Sequence, residues 1–513
     1  MSLILIKAIN YLPDQILQKH LIEKFGDKNN PLYLDLNIRS LIFSLWKKKS
    51  IHNNPYLIKL QEYEVSRGFK ISIILSFILT VFCSIPYFFF SVLLVFQKAF
   101  FFKKNVLRIL LEIRLLDILS GDCICNDSLR SSKSTGLLKL DKNLLYSWYK
   151  IVANLLFFKS FFYFSGIKSK QTFFYIPETG YVNELIRRLL ISYNSSELRL
   201  NWETGKIAKI GKPLIGPQIA MLDFGVRNYK EYNNKESIQT LQSLVNREAS
   251  YPMMAGFDVD SKIVLNNDYV KGKCAIIFLH CVSDLQYWFG VDCFLDLHDW
   301  LMQSCKLLKN HNFEIIIKFH PAFFNKNFIY ESDQNYLNYL SNFYGVDIKN
   351  ISKNALTKTK IDDIYLVNHQ VSTLELHNKF NNFLCITHHG TVTIEAAFLG
   401  HEVIASAASP YFQDCSFVKT YNTIEEYESF VKEFNPVLMA LSDKQKEDLY
   451  KYVFSMNRRI NHDQLMLELM LIFDISLSND NPGWHQEFLF KLSNIKSGST
   501  HEKEVDSYFY KMF

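Results

Sequence analysis

The sequence contains no Cys-x-x-Cys pair among its nine cysteines. The nearest approach, Cys123-x-Cys125, has no second pair to complete a tetrahedral set, so no metal centre is expected. The odd count fits reduced thiols in a cytoplasmic compartment rather than a disulfide framework. No secretory leader is expected either, because the apolar run Leu3–Ile6 is too short for one and reads as a first strand. Internal repeats and low-complexity linkers are lacking, which excludes solenoids and arrays. Charge of one sign is also in short supply: 57 Lys and Arg stand against 51 Asp and Glu, a formal net charge of +6. That excess is too mild for a nucleic-acid partner. It suits a surface facing anionic lipid or a phosphorylated substrate.

What is present is bulk and apolarity. At 513 residues the chain is too long for one core, and two domains with an appendage are expected. The pattern divides as an N-terminal domain over 1–270, a second domain over 271–440, and a helical region and tail over 441–513. Leu3–Ile9 and Pro31–Leu36 read as strands with an amphipathic helix, Asp14–Phe25, between them. Lys47-Lys48-Lys49 reads as a solvated turn. The segment Ile71–Gln97 runs for 27 residues without a formal charge, long enough to cross a bilayer as a helix. Pro86 stands in its middle. Three readings compete over 71–102: a single pass, an interfacial hairpin pivoting at Pro86, and a pair of buried helices. The hairpin is preferred, because a single pass would separate residues 1–70 from the αβ domain they open.

Leu107–Ser120 reads as a helix ending at Gly121. Beyond it, Asp122, Asp127 and Arg130 fall within ten residues. A carboxylate in a cleft can act as general base towards a hydroxyl, and an arginine can hold an anion. The same residues also suit capping and turn chemistry. Asp141–Phe164 reads as an aromatic helix, Phe173–Ile176 as a strand, and Glu178-Thr179-Gly180-Tyr181 as the start of a helix carrying Arg187 and Arg188. Asp258-Val259-Asp260 is not preceded by an apolar strand and is rejected as a metal site.

The second half reads as alternating strands and helices, the signature of a parallel α/β sheet. Cys274–Leu279 runs into His280, Ser283 and Asp284. Phe313–Phe319 carries Lys318 and runs into His320-Pro321, where the proline stops the ladder and sets the chain direction. Phe383–Ile386 runs into Thr387-His388-His389-Gly390, followed by a helix from Thr391 that carries Thr393 and Glu395 and ends at Gly400. In a parallel sheet these three strand ends share one edge, where such sheets bind ligands. His320 and Lys318 could meet a phosphate, and Glu395 a ribose diol. Taken alone, His320 reads equally as a structural turn residue.

Taken in order, Gly121-Asp122…Asp127-Ser128-Leu129-Arg130, His280-x-x-Ser283-Asp284, Lys318-x-His320-Pro321, Thr387-x-His389-Gly390-Thr391…Glu395-Ala396 and Pro410-Tyr411-Phe412 resemble bacterial capsule and surface-polysaccharide glycosyltransferases of the GT-B fold, similar to those using CMP-activated Kdo or sialic acids. The resemblance spans most of 105–430. It implies an α/β fold with two Rossmann-like domains facing across a cleft, to which the apolar segment is an addition. It also implies donor binding by His280, Ser283, Asp284, Lys318, His320, His389, Gly390, Thr391, Thr393 and Glu395, a base at Asp122 or Asp127, and acceptor binding by Arg130 and Arg188. No cofactor or metal is implied. The partners would be a CMP-sugar and a glycan or glycolipid acceptor, met at the cytoplasmic membrane face. A nucleotide-sugar epimerase of the same fold and a non-catalytic polysaccharide assembly or export factor are the alternatives.

Overall fold

The computed structural model describes residues 2–6, 32–34, 67–131, 134–166, 172–175, 181–193, 196–201, 206–210, 234–246, 265, 272–283, 286–287, 290–324, 331–361, 363–409, 411, 415–436 and 440–453. The expected helix Asp14–Phe25, the basic turn at Lys47, Glu178, Thr179 and Gly180, Asp258 and Asp260, Asp284, Pro410, Phe412 and the tail beyond 453 lie outside the described residues.

The described chain opens with β1 (Ser2–Ile6) and β2 (Leu32–Leu34), followed by one long helix, α1 (Arg67–Phe102). A helical layer follows. It contains α2 (Val106–Leu111), a two-strand hairpin β3 (Arg114–Leu115) and β4 (Ile118–Leu119), α3 (Gly121–Leu129) and α4 (Lys142–Phe164). Next come β5 (Thr172–Tyr175), α5 (Tyr181–Ser192), β6 (Ser196–Asn201), β7 (Lys206–Ile210) and α6 (Asn234–Val245). Strands β1, β2, β5, β6 and β7 form a five-stranded sheet of order β2-β1-β5-β6-β7, parallel except for β7.

Two expectations are corrected here. Leu107–Ser120 is not one helix: α2 stops at Leu111 and the chain folds into the β3–β4 hairpin. The turn residues Leu116 and Asp117 both have positive φ, 50° and 69°, the pattern of a two-residue hairpin turn. Neither is a glycine, so the turn carries no sequence signal. The apolar segment is neither a hairpin at Pro86 nor a buried pair. It is a single helix with Pro86 inside it, and its large side chains are mostly exposed.

Beyond α6 the chain builds a seven-stranded sheet. Its elements are β8 (Lys273–Leu279), α7 (Leu297–Asn310), β9 (Phe313–Phe319), α8 (Glu331–Tyr344), β10 (Thr357–Lys358), β11 (Ile364–Val367), α9 (Thr373–Phe380), β12 (Leu384–Thr387), α10 (Val392–Phe398), β13 (Val403–Ser406), β14 (Lys419–Tyr421) and α11 (Ile424–Glu433). The spatial order is β10-β11-β9-β8-β12-β13-β14. All pairings are parallel except that of the edge strand β10. Without β10 the order is that of a Rossmann-like sheet, third-second-first-fourth-fifth-sixth. The order reverses between β8 and β12, the position where such sheets bind ligands at the carboxyl ends of the strands.

The sheet is buried on both faces, which is why β8 and β9 read as continuous apolar runs rather than alternating ones. Ala275, Ile277, Leu279, Ile315 and Ile317 meet α7 and α8 on one face. Cys274, Ile276, Phe278 and Ile316 join Leu241, Ile394 and Ala397 on the other. Each fully buried aliphatic side chain contributes about 1.5–3 kcal/mol. The helical layer has its own core around Trp148, Phe157, Phe158 and Phe162, and Tyr287, Val291 and Leu295 from the loop after β8 pack against it. Arg108 donates to the carbonyls of Asp292 and Phe294, and the Leu138 amide donates to the Asp296 carboxylate at 2.7 Å. The layer therefore grips the loop that enters the switch point.

Candidate functional site

Strand register assembles the site. Leu279 pairs with Phe319, and Phe278 with Thr387. One further step along the ladder sets His280 beside His320, and two steps beyond Thr387 lead to His389. The three imidazoles form a row, with ring centroids 5.0 Å apart for His320–His280 and 4.0 Å apart for His280–His389. Gly390 closes the row. A Cβ there would stand 2.9 Å from Thr387 Oγ1 and 3.4 Å from His280 Nε2, so only glycine fits without displacing one of them.

His320 is set by its proline. Pro321 starts a short 3-10 turn, and the Ala322 amide donates to His320 Nδ1 at 3.2 Å. Because Nδ1 accepts, the neutral ring carries its proton on Nε2, which makes that atom a donor. Lys318, one pleat back on the same face, is buried. Its ammonium donates to the His369 carbonyl at 3.2 Å and lies 5.9 Å from the Phe278 ring centre. His369 itself stacks on Phe324 with centroids 3.9 Å apart.

Further polar groups lie behind the row. On the bend that follows β12, His388 is buried and His389 half-buried. Nε2 of His388 donates to Asp292 Oδ2 at 3.0 Å, and its Nδ1 lies 2.8 Å from Nδ1 of His389. Ser406, at the end of β13, donates to the same Asp292 oxygen at 2.7 Å. Burial pushes the Asp292 carboxyl up, but the His388 imidazole and the hydrogen bonds from His388, Ser406 and the Phe294 amide outweigh it and hold the group below the ordinary carboxylate range. Asp292 and His369 were not singled out from the sequence. Neither belongs to a motif, and only chain folding brings them to this edge. His388 was visible in the loop but carried no sign of being buried.

The other expected site residues are spread more widely. Thr391 is exposed at the start of α10, a helix of seven residues. Thr393 is fully buried behind the loop. Glu395 Oε2 accepts from the Thr373 hydroxyl at 2.6 Å. Ser283 is turned to Asp333, which accepts from its amide at 3.0 Å and from its hydroxyl.

In the helical layer, Gly121–Leu129 is a helix and not the turn expected there. Gly121 is required by packing, since a Cβ would lie 1.7 Å from the Leu110 carbonyl oxygen. Asp122 is buried and held by both terminal nitrogens of Arg188, at 2.8 and 2.7 Å. Arg188 also donates to Glu184 at 2.9 Å and to the Leu119 carbonyl at 2.7 Å. Burial alone would lower the Arg188 pKa, but Asp122 and Glu184 raise it well above its ordinary value. Asp127 is paired with Lys150 at 2.6 Å and keeps 18% of its side chain exposed. Arg130 caps the end of α3. Among the described residues, no group of three or more His, Cys, Asp or Glu side chains is placed to hold a metal ion.

Fold and edge together define a Rossmann-like α/β protein with a histidine-lined switch point. No protein-family model and no curated protein matches the sequence. Among solved structures, it is similar to Thermosulfurimonas dismutans KpsC, a beta Kdo 2,4 transferase, with a TM-score of 0.30 and 10% identity over 57% of this chain and 86% of that one. A likeness of that size says nothing about function.

Proposed function

We propose that the chain is a glycosyltransferase of surface-polysaccharide assembly that binds a nucleotide-activated sugar, by preference a CMP-sugar, at the switch point of the seven-stranded sheet. The observation that carries this reading is the row His320–His280–His389 across the carboxyl ends of β9, β8 and β12. Imidazole nitrogens beside the buried Lys318 ammonium suit a phosphate, whose charge grows as the sugar leaves. In the transfer, the acceptor hydroxyl oxygen forms the new bond to the anomeric carbon and its proton passes to a base. The anomeric carbon–oxygen bond to phosphate breaks, and the electron pair stays on the nucleotide.

The N-terminal sheet and helical layer would supply the acceptor side, in a two-domain GT-B arrangement divided near residue 271. Asp122 and Asp127 are the acids considered for the base. The partial exposure of Asp127 supports it over Asp122, which the Arg188 guanidinium already holds. Arg130 is the candidate for anchoring an anionic acceptor, and a glycan or lipid-linked glycan at the cytoplasmic membrane face is the acceptor class.

The test is nucleotide release. Purified protein with a CMP-sugar should release CMP only when an acceptor glycan is added. Release without acceptor, or conversion of a UDP-sugar to its epimer, would replace transfer with hydrolysis or epimerisation. A thermal shift with CMP but not with UDP would support the donor class, since ligand bound to the folded state raises apparent stability.

A further inference from the structure

Helix α1 is apolar nearly all round and turns its bulkiest side chains away from the protein. The stripe facing the protein mixes apolar residues such as Ile73, Val95 and Ala99 with the small hydroxylated residues Ser76, Thr80, Ser84 and Ser91, all of them buried. The hydroxyls of Ser76, Thr80 and Ser91 are satisfied on the helix itself, donating to carbonyls three or four residues back at 2.6, 2.7 and 2.7 Å. The opposite face carries the bulk: Phe82 is 73% exposed, Leu93 68% and Phe100 82%. A water-soluble helix arranges these the other way round, and exposed apolar area on this scale marks a contact surface.

The packed stripe decides how the helix meets its partner. Buried positions run from Ser72 to Ala99, about 40 Å at 1.5 Å per residue, which exceeds a hydrocarbon core of about 30 Å. Within that length α1 packs against α4, where Phe88 meets Trp148 and Tyr149 edge-on with centroids 6.0 and 5.9 Å apart. Lys150 of α4 is ion-paired with Asp127 of α3. A crossing would draw those charges into hydrocarbon, whereas a helix lying flat would not. At its C-terminal end α1 adjoins a cavity of about 270 Å³ lined by Lys98, Phe102, Lys104, Ile109, Glu112 and Ile113. Glu112 is paired with Arg108 at 3.2 Å, which leaves the two lysines to face an anion.

We propose that α1 lies in the plane of an anionic phospholipid bilayer, with Phe82, Phe89, Leu93 and Phe100 in the acyl–headgroup boundary and a lipid phosphate between Lys98 and Lys104. Charge and apolarity at one place are what such surface helices use. The inference does not depend on glycosyl transfer, and its test involves no nucleotide.

The full-length protein is floated with vesicles of phosphatidylcholine alone and with vesicles that also contain phosphatidylglycerol. Binding should require phosphatidylglycerol. The triple variant Phe82→Gln, Phe89→Gln, Leu93→Gln, altered only at exposed positions, should bind at least about ten-fold more weakly. Lys98→Gln with Lys104→Gln should weaken binding about thirty-fold and remove its salt dependence. A nitroxide on Cys83, an exposed thiol of α1, should report a depth of about 5–10 Å in the wild-type protein. Cysteines introduced at Phe77 and Phe101, exposed positions turned away from the Phe82–Leu93 stripe, should both react with an impermeant maleimide added outside sealed vesicles. Protection of one end alone would mean a crossing and overturn the proposal. Equal binding to neutral vesicles, or a lipid-free dimer that ignores vesicles, would overturn it too, the latter assigning the face to a second copy of the chain.

Discussion

The imidazole of His280 lies against that of His389, with ring centroids 4.0 Å apart and planes 30° from parallel. The two residues are 109 positions apart in sequence. They meet because β8 and β12 are neighbours and in parallel register, with Phe278 opposite Thr387. The contact sits where the order of the sheet reverses, so the strand exchange that defines the fold also creates the crevice and lines it with imidazole rings.

His320→Ala should weaken donor binding while preserving the fold. The ring is set by Pro321 and the Ala322 amide, and it presents an N–H to the crevice. Losing a hydrogen bond to a charged phosphate costs about 1.5–3 kcal/mol, or about 10–150-fold in affinity. Calorimetry with CMP and a thermal melt of the unliganded variant measure the two effects separately. Unchanged affinity would remove His320 from the site.

Asp292→Ala should destabilise the protein by about 3–5 kcal/mol, because it leaves His388 and Ser406 without the carboxylate they share in a buried setting. His388 then loses its anchor and His389 its neighbour, so nucleotide affinity should fall with stability. Asp292→Asn, which keeps a carbonyl oxygen for Ser406, should cost less on both counts. Denaturant midpoints and calorimetry on the same preparations test this, and equal behaviour of the two variants would contradict it.

Asp122→Asn and Asp127→Asn should behave differently. Asp122 is one half of a buried bidentate pair with Arg188, and breaking it should cost about 3–5 kcal/mol. Asp127 pairs with Lys150 at a partly exposed site, where the loss should be below about 1 kcal/mol. If Asp127 is the base, its variant loses about 10²–10⁴-fold in turnover while still binding donor. Full turnover by Asp127→Asn would move the base elsewhere.

His401 makes the fold sensitive to acid. Its ring stacks on Phe383 at 3.8 Å, and its Nδ1 accepts from the Phe383 amide at 3.4 Å. Burial, with the neighbouring His377 adding to it, lowers its pKa from 6.5 to about 3. Below about 6.5 the unfolded chain takes up a proton here that the folded chain refuses until about 3. Stability from this group is therefore full above that window and falls as pH drops through it, by about 1.4 kcal/mol for each unit between the two values. Melting temperatures measured across the window should show the slope, and His401→Phe should flatten it. An unchanged slope in the variant would assign the acid sensitivity to other groups.

Much of the second half was legible in advance because its information is local. Phe313–Phe319 is a strand as expected, and His320-Pro321 and Thr387–Gly390 announce strand ends by their own backbone chemistry. Convergence of those ends on one edge follows from parallel pairing alone. The β3–β4 hairpin was not legible, because its left-handed residues are Leu116 and Asp117 and a glycine would have been the signal. The apolar run of α1 could be counted in the sequence, yet whether its serines or its phenylalanines faced the protein could not. A stripe of small hydroxylated residues acquires a direction only when another helix packs against it.

The sequence by itself determined the central strands of the second half, β8, β9 and β12, and which polar residues stand at their ends, since propensity, proline and glycine act over a few residues. Only the tertiary structure decided that β8 lies between β9 and β12, that His280 therefore stacks between His320 and His389, and that Asp292 holds His388 behind them. Strand order and register come from burial of the whole sheet between its helices. That energy is summed over residues far apart in the chain and leaves no mark at any one of them.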